Sequence, residues 1–228
     1  MSELWQGIVK AIELLVSLDP EVLEVASRSL LIAATSCSIA TFISLPLGSL
    51  IYFNRFPGKN FLVSTIQTLF SLPTVAVGLF VFILFSRTGP FGELKLLFTP
   101  IVMVIGQVIL VTPVILGLTI SALRSVDKTV AETALSLGAS GFQVAILTLR
   151  EARYAVLTGV VMGFGRAISE VGIAIMVGGN IKGFTRTLTT AISLETQKGD
   201  IELSIALGIV LISIALMINL ILHRLQQR

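Results

Sequence analysis

Residues 96–123 read LLFTPIVMVIGQVILVTPVILGLTISAL and contain no aspartate, glutamate, lysine or arginine. A bilayer core of about 30 Å is crossed by a helix of about 20 apolar residues, and this stretch exceeds that length. Residues 29–54, 60–86 and 203–222 are equally free of these charges, while residues 154–181 carry only two. Because backbone groups in lipid must be satisfied internally, helices are favoured. The sequence therefore predicts an all-α integral membrane protein with five transmembrane helices.

The composition of the 228-residue chain supports lipid as its main surrounding medium. Hydrophobic residues make up 54% of the chain and charged residues 13%, against about 25% charged residues in ordinary soluble domains. The mean hydropathy is +0.97. A soluble domain of this size has too little interior to hide so much apolar surface, which argues against a soluble fold.

Residues 1–19 form a separate N-terminal segment. It is too short and too charged to span a membrane, and it lacks the basic start and small-residue cleavage site of a signal peptide. We predict an amphipathic helix at the membrane interface, with Trp5 at headgroup depth. Its apolar residues recur at helical spacing: Leu4, Ile8, Ile12, Leu15 and Leu18. Asp19 and Pro20 then have the pattern of an N-cap and first helical position, so the transmembrane domain is predicted to cover residues 20–228.

Several kinds of chemical site are disfavoured by the residue inventory. Cys37 is the single cysteine and His223 the single histidine, so neither a disulfide within the chain nor a two-histidine metal site is available. The Gly58-Lys59 pair lacks the earlier glycine of a phosphate-binding loop. Basic residues are scattered among the loops, which argues against nucleic-acid binding. We expect no catalytic residues and no metal site in this chain.

The distribution of lysine and arginine predicts an orientation in the membrane. One set of loops carries 8 basic residues in 42 positions, namely residues 54–59, 124–153 and 223–228. The other set carries 7 in 58 positions, namely residues 1–28, 87–95 and 182–202. By the positive-inside rule the first set is cytoplasmic. The N-terminus is then predicted to lie outside and the C-terminus in the cytoplasm.

The loop at residues 124–153 is predicted to fold as two short helices joined by a tight corner. Asp127 can cap the first helix, whose apolar face would include Ala134 and Leu135. Gly138 suits the left-handed conformation that ends such a helix. Residues 140–143 have the S-x-x-Q spacing of a capping box, so a second helix begins at once. This corner is either a rigid knob that docks into a groove of another protein or an ordinary interhelical loop.

The fourth span carries two charged residues and two glycines that are candidates for a structural or a transport role. An unpaired charge at the bilayer centre costs at least ~2.5–3.5 kcal/mol. Arg166 and Glu170 have the i, i+4 spacing of an intrahelical pair; they either form such a pair or line a wet translocation path. Gly159 and Gly163 form a G-x-x-x-G pattern that allows close helix approach, through static packing or as a seam between two copies.

Two prolines are predicted to bend the second and third spans. Pro73 and Pro113 each remove a backbone hydrogen bond and so kink a helix. Thr74 and Thr112 are placed to satisfy the freed backbone groups. Kinks allow two packings of one bundle, as alternating access requires. Pro73 and Thr74 are therefore further candidates for the border of a translocation path.

The corner also carries a resemblance to a known family. Residues 132–140, ETALSLGAS, resemble the E-A-A-x-x-x-G loop of permease subunits in bacterial ABC importers. Thr133 stands where that pattern has alanine, and residues 148–151 lack the proline that usually follows. The resemblance extends over nearly all of residues 20–228. It implies the fold of a type I importer permease and a coupling helix gripped by an ATPase. The ATPase-coupling residues it implies are Glu132, Ala134, Leu135, Gly138 and Ala139.

Shorter motifs are similar to the molybdate/tungstate branch of these permeases. They are SLPTVAVGL at 71–79, ISEVG at 168–172 and GNIKGFTRTL at 179–188. SRTGP at 86–90 and LFTP at 97–100 are most similar to the tungstate permeases. This resemblance implies a homodimer of permeases, two ATPase subunits in the cytoplasm and an oxyanion-binding protein outside.

The function expected from the resemblance is that of a permease subunit in the cytoplasmic membrane, which imports tungstate by alternating access. Molybdate or another small oxyanion is the alternative substrate. ATP and magnesium would be held by the partner ATPase, so no cofactor is expected in this subunit. A membrane-embedded enzyme or a passive channel is the alternative of another class. An enzyme would lack a second acid or nucleophile here, and a channel would leave the coupling loop unexplained.

Overall fold

A computed structural model of the chain describes residues 2–17 and 19–226, with side chains at all of these except 2, 3, 15, 221–223, 225 and 226. The predictions for the side chains of Leu15, Leu18 and His223 lie outside the described residues. The described chain is helical and connected by short turns. Its helices are α1 (Ser2–Val16), α2 (Pro20–Phe53), α3 (Lys59–Thr68), α4 (Thr74–Phe85), α5 (Pro100–Arg124), α6 (Lys128–Ser136), α7 (Gly141–Glu151), α8 (Arg153–Ile168), α9 (Gly172–Gly178), α10 (Leu188–Lys198) and α11 (Ile201–Gln226).

Three of these helices are long and apolar enough to cross a bilayer in one piece. They are α2, α5 and residues Ile201–Leu220 of α11. Two further spans are bent pairs: α3 with the turn that follows it joins α4 at 96°, and α8 joins α9 at 54°. The predicted all-helical membrane fold is confirmed. The predicted five spans are reached when each bent pair is one span, so two of them are broken where the charge pattern indicated continuous helices.

The start of α2 follows the predicted capping pattern. Asp19 Oδ1 accepts hydrogen bonds from the backbone N–H groups of Glu21 and Val22, both at 3.0 Å. Pro20 occupies the first turn, where a missing N–H costs nothing because that group has no partner within the helix. The helix then runs unbroken past Pro46 to Phe53.

Small and hydroxyl-bearing residues hold α2 against α5. Ser44 Oγ donates to the Thr112 carbonyl at 3.2 Å, and Ser36 Oγ donates to the Val104 carbonyl at 3.4 Å. A Cβ on Gly48 would lie 2.9 Å from Thr119 Cγ2, so only glycine fits there without movement. Such close approach is how helices associate where lipid offers no hydrophobic drive. The pair forms the rigid centre of the bundle.

A buried apolar core fixes α4 and α9 against α5. Val81, Met103, Ile173 and Val177 are all buried in one cluster. A Cβ on Gly106 would lie 2.6 Å from Ile173 Cγ2, so α9 sits tightly on α5. The second half of each bent span is therefore packed against α5 along one face.

The N-terminal helix packs against α11 through a face other than its predicted apolar stripe. Ala11 and Leu14 are buried in a cluster with Ala206 and Leu207 of α11, and a Cβ on Gly7 would lie 2.6 Å from Ile205 Cγ2. The predicted apolar residues Leu4, Ile8 and Ile12 remain exposed, as does Trp5 at 67%. Small residues lie on the protein side because they allow close approach, which leaves the large apolar side chains free to face lipid. The interfacial location itself stays a prediction.

Candidate functional site

The two bent spans meet at their breaks. The first break lies at residues 69–73, between α3 and α4, and the second at residues 169–171, between α8 and α9. A Cβ on Gly172 would lie 2.9 Å from Thr74 Oγ1 and 3.3 Å from Glu170 Oε1. The ends of both broken spans are therefore in contact, and we call this junction the double break.

Arg166 connects the two halves of the double break. Its Nη2 donates to the Leu72 carbonyl at 3.3 Å, across 94 positions of sequence. Leu72 has φ −54° and ψ 126°, so it is outside helical geometry and its carbonyl is available to an external donor. The four residues predicted to border a translocation path, Pro73, Thr74, Arg166 and Glu170, thus lie at one locus.

The predicted ion pair between Arg166 and Glu170 is not formed. Among the described residues, neither side chain takes part in a salt bridge. The i, i+4 argument assumed a continuous helix, but α8 ends at Ile168. Beyond that point the backbone turns and carries Glu170 away from the face that holds Arg166. Of the two interpretations of these charges, the structure does not support the intrahelical ion pair, and the lining of a translocation path stays a prediction.

Glu170 instead holds the second break together. Its side chain is 5% exposed, and its Oε1 accepts from the backbone N–H of Ile173 at 2.9 Å in the first turn of α9. Its own carbonyl accepts from Thr189 Oγ1 at 2.8 Å. A carboxylate here satisfies an N–H group that the broken helix leaves without a partner. Glu170 is thus a buried cap that ties α9 to the start of α10.

Gln107 is a polar residue near the double break that the sequence reasoning did not single out. It is 4% exposed, and its Nε2 donates to the Ala167 carbonyl at 3.2 Å, while its Oε1 has no protein partner. The Ala167 carbonyl also accepts from the Glu170 N–H at 3.2 Å. The signal was available, because Gln107 interrupts an otherwise apolar run in α5. A buried amide of this kind requires a partner, and here it supports the end of α8.

The two prolines behave differently. Pro73 precedes α4 with an extended backbone and forces Leu72 out of the helical region, so the second span breaks there. Pro113 lies within α5, which continues from Pro100 to Arg124. Thr112 Oγ1 donates to the Val108 carbonyl at 2.7 Å. The carbonyl that Pro113 leaves without an N–H donor is that of Ile109, so this bond does not satisfy the freed group as predicted. Only Pro73 contributes to the double break.

The glycine pattern of the fourth span faces α5 of the same chain. A Cβ on Gly159 would lie 2.9 Å from Leu118 Cβ, and one on Gly163 would lie 2.7 Å from Ile115 Cγ1. Side chains of α5 therefore occupy the space that the two glycines leave on α8. Of the two interpretations, static packing within the bundle is the one that the structure supports.

The α6–α7 corner, which we define as residues 127–143, has the predicted local structure. Asp127 Oδ1 accepts from the Thr129 N–H at 2.9 Å, and this hydrogen bond holds the pKa of the carboxyl below its usual range. Gly138 has φ +85°, the left-handed conformation predicted for it. Ser140 and Gln143 form both hydrogen bonds of the capping box, at 2.7 and 3.4 Å.

The corner presents apolar side chains outward. Leu137 is 83% exposed, and Leu135 and Phe142 are also exposed. Of the two residues predicted on the apolar face, Ala134 is buried and Leu135 is exposed. Beside them is a shallow apolar depression lined by Val130, Ala134, Leu137, Ala139 and Leu147, among others. Clustered exposed apolar residues mark an interaction surface, and Glu132 lies exposed on the same short helix.

The fold and these two sites define a polytopic helical membrane protein with a junction between two broken spans and an exposed apolar corner. Such discontinuous helices are typical of transporters. The chain matches the family described as the inner membrane component of binding-protein-dependent transport systems over residues 44–228.

Relatives along the whole chain agree with this match. The tungstate uptake system permease protein TupB of Peptoclostridium acidaminophilum is 41% identical over 227 residues, covering all of both chains. A protein of Haloferax volcanii described as "Probable anion ABC transporter permease protein" is 40% identical over 90% of each chain. TupB of Campylobacter jejuni is 39% identical over 98% of this chain and 94% of its own. The chain belongs to this family of inner-membrane components, and it is a permease subunit of an ABC transporter.

Proposed function

We propose that the chain is the permease of a tungstate importer. The observation that carries this proposal is the 41% identity with a tungstate uptake permease over the full length of both proteins. A second relative of the same description is 39% identical, whereas relatives described as sulfate permeases are at most 30% identical. Molybdate is the competing substrate, since the two oxyanions have the same shape and charge.

The assembly we propose contains two copies of this permease, two cytoplasmic ATPase subunits and an external oxyanion-binding protein. The N-terminus lies outside and the C-terminus in the cytoplasm, following the bias of lysine and arginine among the loops. ATP and magnesium bind to the ATPase, and this chain holds no cofactor. The external protein supplies most of the affinity, and the permease needs only a path that binds the anion weakly.

The double break is the proposed hinge and border of that path. The backbone at Leu72 and Ser169 is already outside helical geometry. Changes of the dihedral angles at these residues would therefore break few helical hydrogen bonds, as is typical of hinges. Arg166 is half-buried and keeps free N–H donors beyond its bond to Leu72, and a guanidinium suits a tetrahedral oxyanion. Pro73 and Thr74 lie on the facing span.

The α6–α7 corner is the proposed attachment point of the ATPase. Its backbone is fixed by two helix caps and one glycine in the left-handed conformation. The corner can therefore keep its conformation while it transmits motion from the ATPase to the spans. Leu135, Leu137 and Phe142 supply exposed apolar side chains, and burial of apolar surface is the main favourable term in most protein association. Glu132, Gly138 and Ala139 complete the surface in this proposal.

The test is metal-resolved uptake in a strain that lacks this permease and expresses the chain with its ATPase and binding protein. We expect tungsten accumulation from trace tungstate, with molybdenum unchanged. The control replaces the catalytic residue of the ATPase. This change abolishes accumulation if the chain belongs to an ATP-driven importer, and it has no effect if the chain is a passive channel. Molybdenum accumulation in place of tungsten would reassign the substrate. Failure to co-purify with any ATPase would exclude the importer.

A further inference from the structure

A groove of about 520 Å³ opens between α2, α7 and α8. Its walls are apolar, with Leu45 on α2, Leu149 on α7, and Val156 and Val160 on α8. The Cys37 thiol donates to the Val160 carbonyl at 3.4 Å, so α2 and α8 close one end of it. The groove shares no lining residue with the double break or with the apolar depression of the α6–α7 corner.

Two arginines lie at the other end of this groove. Arg150 is in the last turn of α7 and Arg153 is the first residue of α8, and both line the groove. Within the described residues neither forms an ion pair with a carboxylate, although Glu151 lies between them in sequence. Arg153 is held over the Tyr154 ring, 4.7 Å from its centroid, with Nη2 3.1 Å from the phenol oxygen. The groove therefore has two arginines without a carboxylate partner at one end and apolar walls along its length.

We propose that this groove binds an anionic phospholipid, with its phosphate on Arg150 and Arg153 and an acyl chain along Leu45, Val156 and Val160. Arginine binds phosphate with its planar fork of donors, and basic pockets between spans on the cytoplasmic side bind anionic headgroups. A tyrosine beside the arginines is typical of the headgroup level. The cytoplasmic placement rests on the proposed function.

The proposed lipid has a structural consequence for transport. The groove joins the end of α7, which leads out of the α6–α7 corner, to the transmembrane helices α2 and α8. A lipid seated there would brace the corner against the spans. Transport is therefore expected to depend on anionic lipid, while the exposed apolar side chains of the corner remain unaffected.

The experiment measures lipid retained by the whole transporter, using phosphatidylglycerol as the probe and native mass spectrometry as the readout. Each arginine removed is expected to lower retention about fivefold, so the pair R150Q/R153Q loses roughly 25-fold. The matched control is Arg55→Gln, which removes an exposed loop arginine outside the groove. The variant R150K/R153K keeps the charge and should retain most of the lipid. Val160→Trp fills the groove without changing charge and should also expel it.

Equal retention by wild type and R150Q/R153Q would overturn the proposal. So would a disulfide between two copies carrying Leu157→Cys in a Cys37→Ser background, because the groove would then face a second permease. The orientation is checked separately by labelling Ser140→Cys with an impermeant maleimide. Labelling from outside the cell would refute the proposed function, even if phosphatidylglycerol still binds. If Ser140→Cys is labelled from the cytoplasm and takes up tungstate normally, but R150Q/R153Q still retains its phosphatidylglycerol, the lipid site alone would be refuted.

Discussion

The α6–α7 corner and the double break are both places where a helix ends and another begins, yet they are built in opposite ways. The corner is made from neighbours in sequence, and its apolar side chains point outward. The double break is made from residues 94 positions apart, and its carboxylate is buried. We therefore expect that a change in the corner leaves the bundle intact, whereas overpacking at the double break loosens it. This difference predicts separate consequences for coupling and for assembly.

The largest effect is expected from Gly172→Val in the double break. A Cβ added there would lie 2.9 Å from Thr74 Oγ1, and the two valine methyls would push α9 away from α4. Overpacking of this kind costs about 1–3 kcal/mol, so we expect both less assembled transporter and little uptake. The measurements are the yield of complex in detergent and tungsten uptake.

Gly165→Val is the matched control for Gly172→Val. Gly165 lies in α8, its backbone is helical, and a Cβ added there would have open space around it. It should assemble normally. If the two valines reduced assembly equally, the contact between the broken spans would not be the cause.

Gly138→Val in the corner is expected to act on coupling and to leave assembly intact. Gly138 has φ +85° with open space around it, so the cost is backbone strain alone, about 1–3 kcal/mol. The complex should form, while stimulation of ATP hydrolysis by the loaded binding protein falls about tenfold. Gly141→Val is the control, since Gly141 is equally open but lacks a positive φ. Normal stimulation in Gly138→Val would show that the corner does not couple.

The comparison also explains which parts of the site the sequence could predict. Asp127, Gly138 and Ser140 act on backbone within a few residues, so local capping rules identify them from spacing alone. The role of Glu170 depends on α8 ending at Ile168, and helical spacing assumed that it continued. The Arg166 bond to Leu72 depends on the packing of two distant spans. The lengths of the stretches without charged residues likewise predicted the spans. These lengths carry no information on where a span bends.

A smaller effect is expected from Glu170→Gln, which separates the charge of Glu170 from its capping role. Glutamine keeps an oxygen acceptor for the Ile173 N–H, but a neutral acceptor is weaker than a carboxylate, by about 1 kcal/mol. We expect normal assembly with uptake reduced less than in Gly172→Val. Glu170→Leu removes the acceptor and should lower the assembled yield as well. Unchanged assembly and uptake in Glu170→Gln would remove Glu170 from the translocation path.

The smallest effect concerns the cap of the corner and its dependence on pH. The Thr129 N–H bond lowers the pKa of Asp127 from its ordinary value of 3.8, so the ionised cap stabilises α6 above that value and is lost as the pH falls through the lowered pKa. A spin label at Leu137→Cys, in a Cys37→Ser background, should therefore report an unchanged corner from about pH 5 to 8, and greater mobility only as the pH falls below the ordinary value of 3.8. Asp127→Asn keeps a capping oxygen without a charge, so its mobility should not change with pH in that range. Asp127→Ala should be mobile throughout. Since the cap acts only on the first turn of α6, none of these changes should alter the assembly of the bundle, and a loss of assembly in Asp127→Ala would show that the corner and the double break are not independent.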